Sequence, residues 1–199
     1  MQKERIIFRY FLLNKPYGYL SQFTGEKNDL LLGQLYNFPK DVYSVGRLDK
    51  DSEGLLLLTN DNNFKTRLLD PKSKHTKTYW VQVEGAISET ALRLLENGSI
   101  EINHNNNKHL VEKAKCLIIH PENIEERNPP IRFRANIPTS WIELTLTEGK
   151  NRQVRKMTAS VGFPTLRLIR KTIGKIELKN LLSGNVIEIT FNQAEKAFE

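Results

Sequence analysis

The sequence predicts one mixed domain of strands and helices, or two small subdomains sharing a sheet, with approximate bounds 8–75 and 76–191 within residues 1–199. Three observations carry this. The run Leu55 to Thr59 is continuously apolar up to its last residue, with Gly54 before it and Asn60-Asp61 after it. That is the pattern of a strand buried on both faces. The segments Thr78–Glu84 and Trp141–Thr147 alternate apolar and polar residues, as half-buried strands do. Between them, Phe64, Leu68 and Leu69, then Ala91, Leu92 and Leu95, then Val154, Met157 and Val161 recur at helical spacing.

Taken in order, Met1 to Arg5 is polar and expected to be loose. Phe8 to Leu13 reads as a strand, Asn14-Lys15-Pro16-Tyr17-Gly18 as a turn, and Tyr19 to Phe23 as a second strand. Asp29 can cap a short helix whose apolar face is Leu31, Leu35 and Phe38. Asn60 or Asp61 opens the helix carrying Phe64, which ends before Pro71. Ser88 caps the next helix, and Asn97-Gly98 closes it. Asn103 to His109 reads as a polar loop between strands, with His104 and His109 on its surface and no third metal ligand at a plausible spacing. Ala114 to Ile119 is strand-like, and His120 to Ser140, with four prolines, is an irregular connection. A helix starts near Asn151 and stops at Gly162 and Pro164. Thr165 to Arg170 alternates again, Asn185 to Phe191 is the last strand, and Gln193 to Phe198 a short terminal helix.

The composition narrows the function. Thirty basic residues against 23 acidic ones give a net charge of +7, which suits a polyanionic partner. The lone Cys116 forms no disulfide framework and no Cys-rich metal site. No secretory signal pattern is present, because Arg9 interrupts the first apolar stretch and no small-residue cleavage site follows; no apolar run reaches membrane-spanning length. The expectation is a cytoplasmic protein without membrane contact.

The chemistry concentrates in Gly46-Arg47-Leu48-Asp49-Lys50-Asp51-Ser52-Glu53-Gly54, a charged loop leading into the apolar strand. Its three acids suggest a calcium loop, but the twelfth position, where a bidentate Glu belongs, is Asn60. A polar turn on the way into a strand is the plain alternative. The sharper reading takes Asp49 beside Arg47: a nearby cation keeps a carboxylate ionised, and a positioned carboxylate can act at a sugar carbon. Two basic stretches add to it. Lys72-Ser73-Lys74-His75-Thr76-Lys77 can contact phosphates, and Arg152, Arg155 and Lys156 share one side of the predicted helix at 151–161.

The loop and strand together, Gly-Arg-Leu-Asp followed by acidic-x-x-Gly-Leu-Leu-Leu-Leu-Thr-Asn-Asp, resemble the catalytic motif of the pseudouridine synthases. The likeness is closest to the branch that modifies ribosomal RNA, the RsuA/RluB/RluE/RluF group. Asn14-Lys15-Pro16-Tyr17-Gly18 is similar to that family's first motif, Lys77-Thr78-Tyr79 to its Lys-x-Tyr strand, and Glu148 to Met157 to its Glu-Gly-Lys/Arg-x-x-Gln-Val-Arg/Lys-Arg/Lys-Met segment at every position. Leu168-x-Arg170-x-x-Ile173-Gly174 fits a further family pattern. The likeness runs from about Phe11 to Ile187.

The resemblance implies an α+β fold: a long mixed, mainly antiparallel sheet flanked by helices, with the active cleft across its middle. It implies an isomerase that converts a uridine of ribosomal RNA to pseudouridine without cofactor or metal, acting as a monomer. Asp49 is the implied catalytic carboxylate, Tyr79 stacks on the base, and Arg155 pairs with Asp49. Arg47 reaches into the space left by a flipped base. Lys72, Lys74, Lys77, Arg152, Lys156 and Arg170 are the implied RNA contacts. Most relatives carry an S4-type module before the first motif; here that motif begins at residue 14, which leaves no room for it. In this the chain looks like the RluE type, which lacks the module and modifies a 23S ribosomal RNA stem-loop. The competing readings are a non-catalytic RNA-binding or ribosome-assembly protein on the same fold, a sibling synthase acting on another ribosomal site, and a calcium-binding protein.

Overall fold

The computed structural model describes residues 7–132 and 134–199; the expectation for Met1 to Arg5 lies outside them. In chain order the elements are β1 (Tyr10–Lys15), β2 (Tyr19–Leu20), β3 (Leu30–Leu31), β4 (Tyr43–Ser44), β5 (Glu53–Thr59), α1 (Asn62–Leu69), β6 (Lys77–Glu84), α2 (Glu89–Glu96), β7 (Glu101–His104) and β8 (Asn107–Leu110). Then follow β9 (Lys115–Ile119), β10 (Thr139–Leu146), α3 (Gln153–Ser160), β11 (Thr165–Ile173), β12 (Ile176–Glu177), β13 (Val186–Ile189) and α4 (Phe191–Glu195). Seven strands run across one sheet in the order β13-β1-β5-β11-β6-β10-β9, with β4 paired to β5 and β12 to β11. Every pairing in it is antiparallel except β5 with β11. The expected α+β architecture is therefore observed.

The apolar run explains the centre of this sheet. Side chains alternate across a strand, so Leu55 and Leu57 enter one core with Tyr10, Phe64, Leu68 and Ile169. Leu56 and Leu58 enter a second core with Phe11, Leu13, Leu32 and Leu48 on the other face. All four leucines are fully buried, at roughly 1.5–3 kcal/mol each. A third core lies under β6 and β10, where Val81, Val83, Ile142 and Leu144 pack on Leu92 and Leu95 of α2 and Met157 of α3.

The parallel β5–β11 pair joins the halves and constrains Gly54. That residue has φ +102, and a Cβ there would overlap the backbone of Arg170. We expect Gly54→Ala to cost about 2–3 kcal/mol through backbone strain and displaced pairing. A urea titration measures it, and a midpoint equal to wild type would contradict the close approach.

The caps at Asp61 and Ser88 form as expected: Asp61 Oδ1 accepts from Phe64 N at 3.0 Å and Ser88 Oγ from Ala91 N at 3.2 Å. Four local expectations need correction. The predicted helix after Asp29 is only a 3-10 turn at Leu32–Gln34, because Gly33 sits in it, Pro39 follows, and Leu30–Leu31 is drawn into a parallel ribbon with Tyr19–Leu20. The second strand accordingly stops at Leu20 rather than Phe23. Asn103 to His109 is not a loop but most of the β7–β8 hairpin, with Asn105 and Asn106 both left-handed at φ 49 and 62, as a tight two-residue turn requires. The last strand ends at Ile189, because Thr190 caps α4 two residues earlier than the helix was placed.

Candidate active site

A cleft of about 640 Å³ opens where the Asp49 loop, β6, the turn before α3 and β11 converge. It is lined by Asp49 and Arg47 from the loop, Tyr79 and Lys77 from β6, Arg152 from the α3 turn and Arg170 from β11.

The loop is fixed from below. Leu48 is buried in the core. Its amide donates to Ser21 Oγ at 3.0 Å, and that hydroxyl donates back to Leu48 O at 2.9 Å. Ser52 N closes a turn onto Asp49 O at 3.0 Å, and Val45 N donates to Leu57 O at 2.8 Å. The Asn-Lys-Pro-Tyr-Gly turn supports the loop from the side, with Gly18 N donating to Lys50 O at 2.8 Å. The turn's own shape is held by Lys15, whose fully buried Nζ donates to Pro16 O and Tyr19 O at 2.9 and 2.7 Å. Burial pushes the Lys15 ammonium down to about 8, against the pull of Glu53, Asp51 and Asp49. A buried ammonium thus lies behind three carboxylates.

Those carboxylates have different surroundings. Glu53 is buried in a bidentate pair with Arg167, at 2.9 Å to Nε and 2.8 Å to Nη2. Asp51 turns away from the cleft lining and takes both Nη atoms of Arg152 at 2.9 and 2.8 Å. Its backbone oxygen accepts from Arg155 Nη2 at 2.6 Å. Burial would raise the Asp51 carboxyl, but Arg152 and Arg155 outweigh it and hold it below the usual carboxylate range. Asp49 faces the cleft, with its side chain 32% exposed and Arg152 Nη1 at 3.7 Å.

One expected pair is therefore corrected. In this structure Arg155 does not form an ion pair with Asp49; its Nε lies 3.3 Å from Asp51 Oδ2, off hydrogen-bond geometry, and the cation beside Asp49 is Arg152. The cause is the turn at 49–52, which sends Asp49 into the cleft and Asp51 back toward α3. Arg152 reaches both from a left-handed backbone at φ 54, an uncommon conformation for a residue with a Cβ.

Tyr79 is buried on the cleft wall, opposite Leu144 on β10 and Arg170 on β11. Arg47 is exposed at the rim, with Nη2 3.4 Å from Gln22 Oε1. Lys72, Lys74 and Lys156 stand outside the lining. Lys74 pairs with Glu112 at 3.2 Å, and Lys156 Nζ donates to Asn103 O at 2.7 Å. Arg170, expected at the RNA surface, is instead 5% exposed, with Nε donating to Leu55 O at 2.8 Å.

The Glu148-Gly149-Lys150 turn is locked by Gln153, whose side chain accepts from Lys150 N at 2.9 Å and donates to Glu148 Oε1 at 2.6 Å. The other Glu148 oxygen meets His109 Nε2 at 2.8 Å. His109, read as a surface residue, thus ties the β7–β8 hairpin to the cleft. Lys15, Asp51 and Glu53, named in the sequence only as parts of a turn and of an acidic loop, hold the loop together with Arg167, and His75, read as part of a basic patch, lines the cleft.

Comparison with known proteins agrees with this geometry. Residues 9–160 match the model of the family described as RNA pseudouridylate synthase. A protein of Vibrio parahaemolyticus named "Ribosomal large subunit pseudouridine synthase E" is 49% identical over 189 residues, 95% of this chain and 75% of that one. Its namesake in Vibrio vulnificus is 48% identical over 182 residues, covering 92% and 75%. A solved structure described as "Crystal structure of pseudouridylate synthase" superposes with a TM-score of 0.78 at 27% identity, over 98% of this chain and 76% of that one. With this coverage and identity joined to the motifs around the cleft, the chain belongs to the RNA pseudouridylate synthase family, within its RsuA/RluB/RluE group.

Proposed function

We propose that the chain isomerises a uridine in a stem-loop of 23S ribosomal RNA to pseudouridine, with Asp49 as the catalytic carboxylate, acting as a monomer in the cytoplasm and without metal or cofactor. Relatives named as large-subunit pseudouridine synthases support the RNA class. Among the described residues no helix is long and apolar enough to cross a membrane. The observation that carries the role of Asp49 is its contrast with its neighbours. Glu53 and Asp51 are held by bidentate arginines, whereas Asp49 faces the open cleft with Arg152 only at ion-pair distance. A carboxylate so placed keeps its oxygens free for a reacting carbon.

In this reading the target nucleotide leaves its helix and enters the cleft. The face of Tyr79 stacks on uracil and shields it from water. Asp49 promotes cleavage of the N1–C1′ bond, as nucleophile or by another route to a sugar intermediate. Uracil turns and rejoins C1′ through C5, and a proton passes from C5 to N1. Substrate and product are isomers, so the step consumes no oxidant, reductant or group donor. Arg152 holds Asp49, and Arg155 holds the loop through Asp51. Arg47 at the rim occupies space vacated by the base, while Lys72, Lys74 and Lys156 contact phosphates.

The test is incubation of the purified protein with 23S ribosomal RNA and fragments of it, with chelator present and no added cofactor, followed by pseudouridine mapping. One modified uridine is expected. Affinity for that RNA should fall about 10²-fold or more between 50 and 200 mM salt if four or more phosphates are engaged. No modification of any fragment, or a flat salt response, would contradict the reading.

A further inference from the structure

We propose that Lys77, His75 and Arg170 form an electrostatic seat for the uracil ring while it is detached from the sugar, stabilising it as an anion. This rests on the isomerase reading and adds to it. When the N1–C1′ bond breaks, its electron pair stays with uracil, so the leaving group is an anion with charge spread over N1, O2 and O4. C5 then returns a pair to C1′, the C5 proton leaves, and N1 takes up a proton. Charge appears on the base only between these two events, so groups aimed at it there act on the transition state rather than on binding.

All three side chains line the cleft that holds Asp49. Lys77 and Tyr79 lie two residues apart on β6 and share a face of the strand, and Tyr79 is the cross-strand partner of Arg170. A ring stacked on Tyr79 would therefore lie beside this group, its carbonyl edge able to face it. The group is also short of partners. Among the described residues, Arg170 Nη2 and His75 Nδ1 are buried and have no hydrogen-bond partner. Among the described residues, Lys77 Nζ makes only a 3.4 Å contact, to His75 O. Among the described residues no carboxylate forms an ion pair with any of the three.

Two cations held together without a counterion are costly. Burial and then Arg170 push the Lys77 ammonium down to about 8. Burial, then Lys77 and Arg170, push His75 down to about 4, so its imidazole is neutral at pH 7 and serves as a hydrogen-bond donor. An anion arriving among them relieves that cost. Burial favours the base over a phosphate: Arg170 and His75 are 5% and 9% exposed, as suits contact with an inserted ring more than with a backbone lying across the rim.

The experiment compares wild type, Lys77→Met, Lys77→Arg and His75→Ala with the ribosomal RNA. Single-turnover rate at saturating RNA, Kd, the slope of log Kd against log salt, and melting temperature are measured for each. Lys77→Met is expected to slow the single-turnover step by about 10²–10³-fold, the size of losing one aimed charge. Its Kd should stay within about twofold and its salt slope should not change. Lys77→Arg should recover most of the rate, and His75→Ala should lose about tenfold. A weaker Kd with a salt slope reduced by about one, at unchanged saturated rate, would make Lys77 a phosphate contact and overturn the proposal. So would unchanged rates, or a rate loss that tracks a lowered melting temperature and is not recovered by Lys77→Arg. A wild-type protein that forms no pseudouridine would fail the isomerase reading itself, which is a different result from any of these.

Discussion

Asp49→Asn is expected to lower pseudouridine formation by about three orders of magnitude or more, while RNA affinity stays within about twofold. The amide matches the carboxylate in shape, so the loop, held by Leu48, Ser21 and Ser52, has no reason to move. In the proposed reading what is lost is the carboxylate facing the cleft as a reacting group, and removing one typically costs 10³-fold or more. In that reading affinity is set elsewhere, by the basic residues at the rim. Asp51→Asn is the informative partner. It weakens a bidentate pair with Arg152 that positions the loop without entering the cleft, so its loss of rate should be at least tenfold smaller than that of Asp49→Asn. Equal losses from the two variants would move the catalytic role away from Asp49. Single-turnover assays at saturating RNA read both.

The second large effect concerns stability. Glu53 and Arg167 pair in the interior with side-chain exposures of 8% each, across 114 residues of sequence. Arg167 also donates to Glu125 O at 2.8 Å, tying the long connection before β10 to the centre of the sheet. Removing one partner strands a buried charge, so Glu53→Ala should cost about 3–5 kcal/mol, or on the order of 10 °C in melting temperature for a chain of this size. Exchanging both residues for leucine removes the attraction and the desolvation penalty together, and should recover much of the loss. Thermal melts of the single and double variants decide it. A single variant within about 1 °C of wild type would show that the pair contributes little.

What could be read from the sequence was local. The strand at β5 announces itself by four successive leucines between turn residues, and Asp49 stood out as the acid beside Arg47 in the Gly-Arg-Leu-Asp motif. The capped helices α1 and α2 follow from Asp61 and Ser88 three residues ahead of the amides they accept from. What could not be read depends on contacts between distant residues. The Arg155 pairing went to Asp51 because a turn closed by Ser52 N on Asp49 O sends alternate acids in opposite directions. His75, in a basic run read as a surface patch that can contact phosphates, is instead buried among cleft residues brought in by β11. The Asn-rich stretch hid a hairpin, since asparagine at a left-handed turn and asparagine in a loop look the same in a sequence. Arg170 fits a family pattern, but its inward direction is set by the parallel β5–β11 junction at Gly54.

The most direct test of the central claim is pseudouridine mapping of ribosomal RNA from cells with and without this gene, rescued by wild type or by Asp49→Asn. The account predicts that a single 23S position loses its modification, that wild type restores it, and that Asp49→Asn does not. Unchanged modification at every position in the deletion, or restoration by Asp49→Asn, would contradict it.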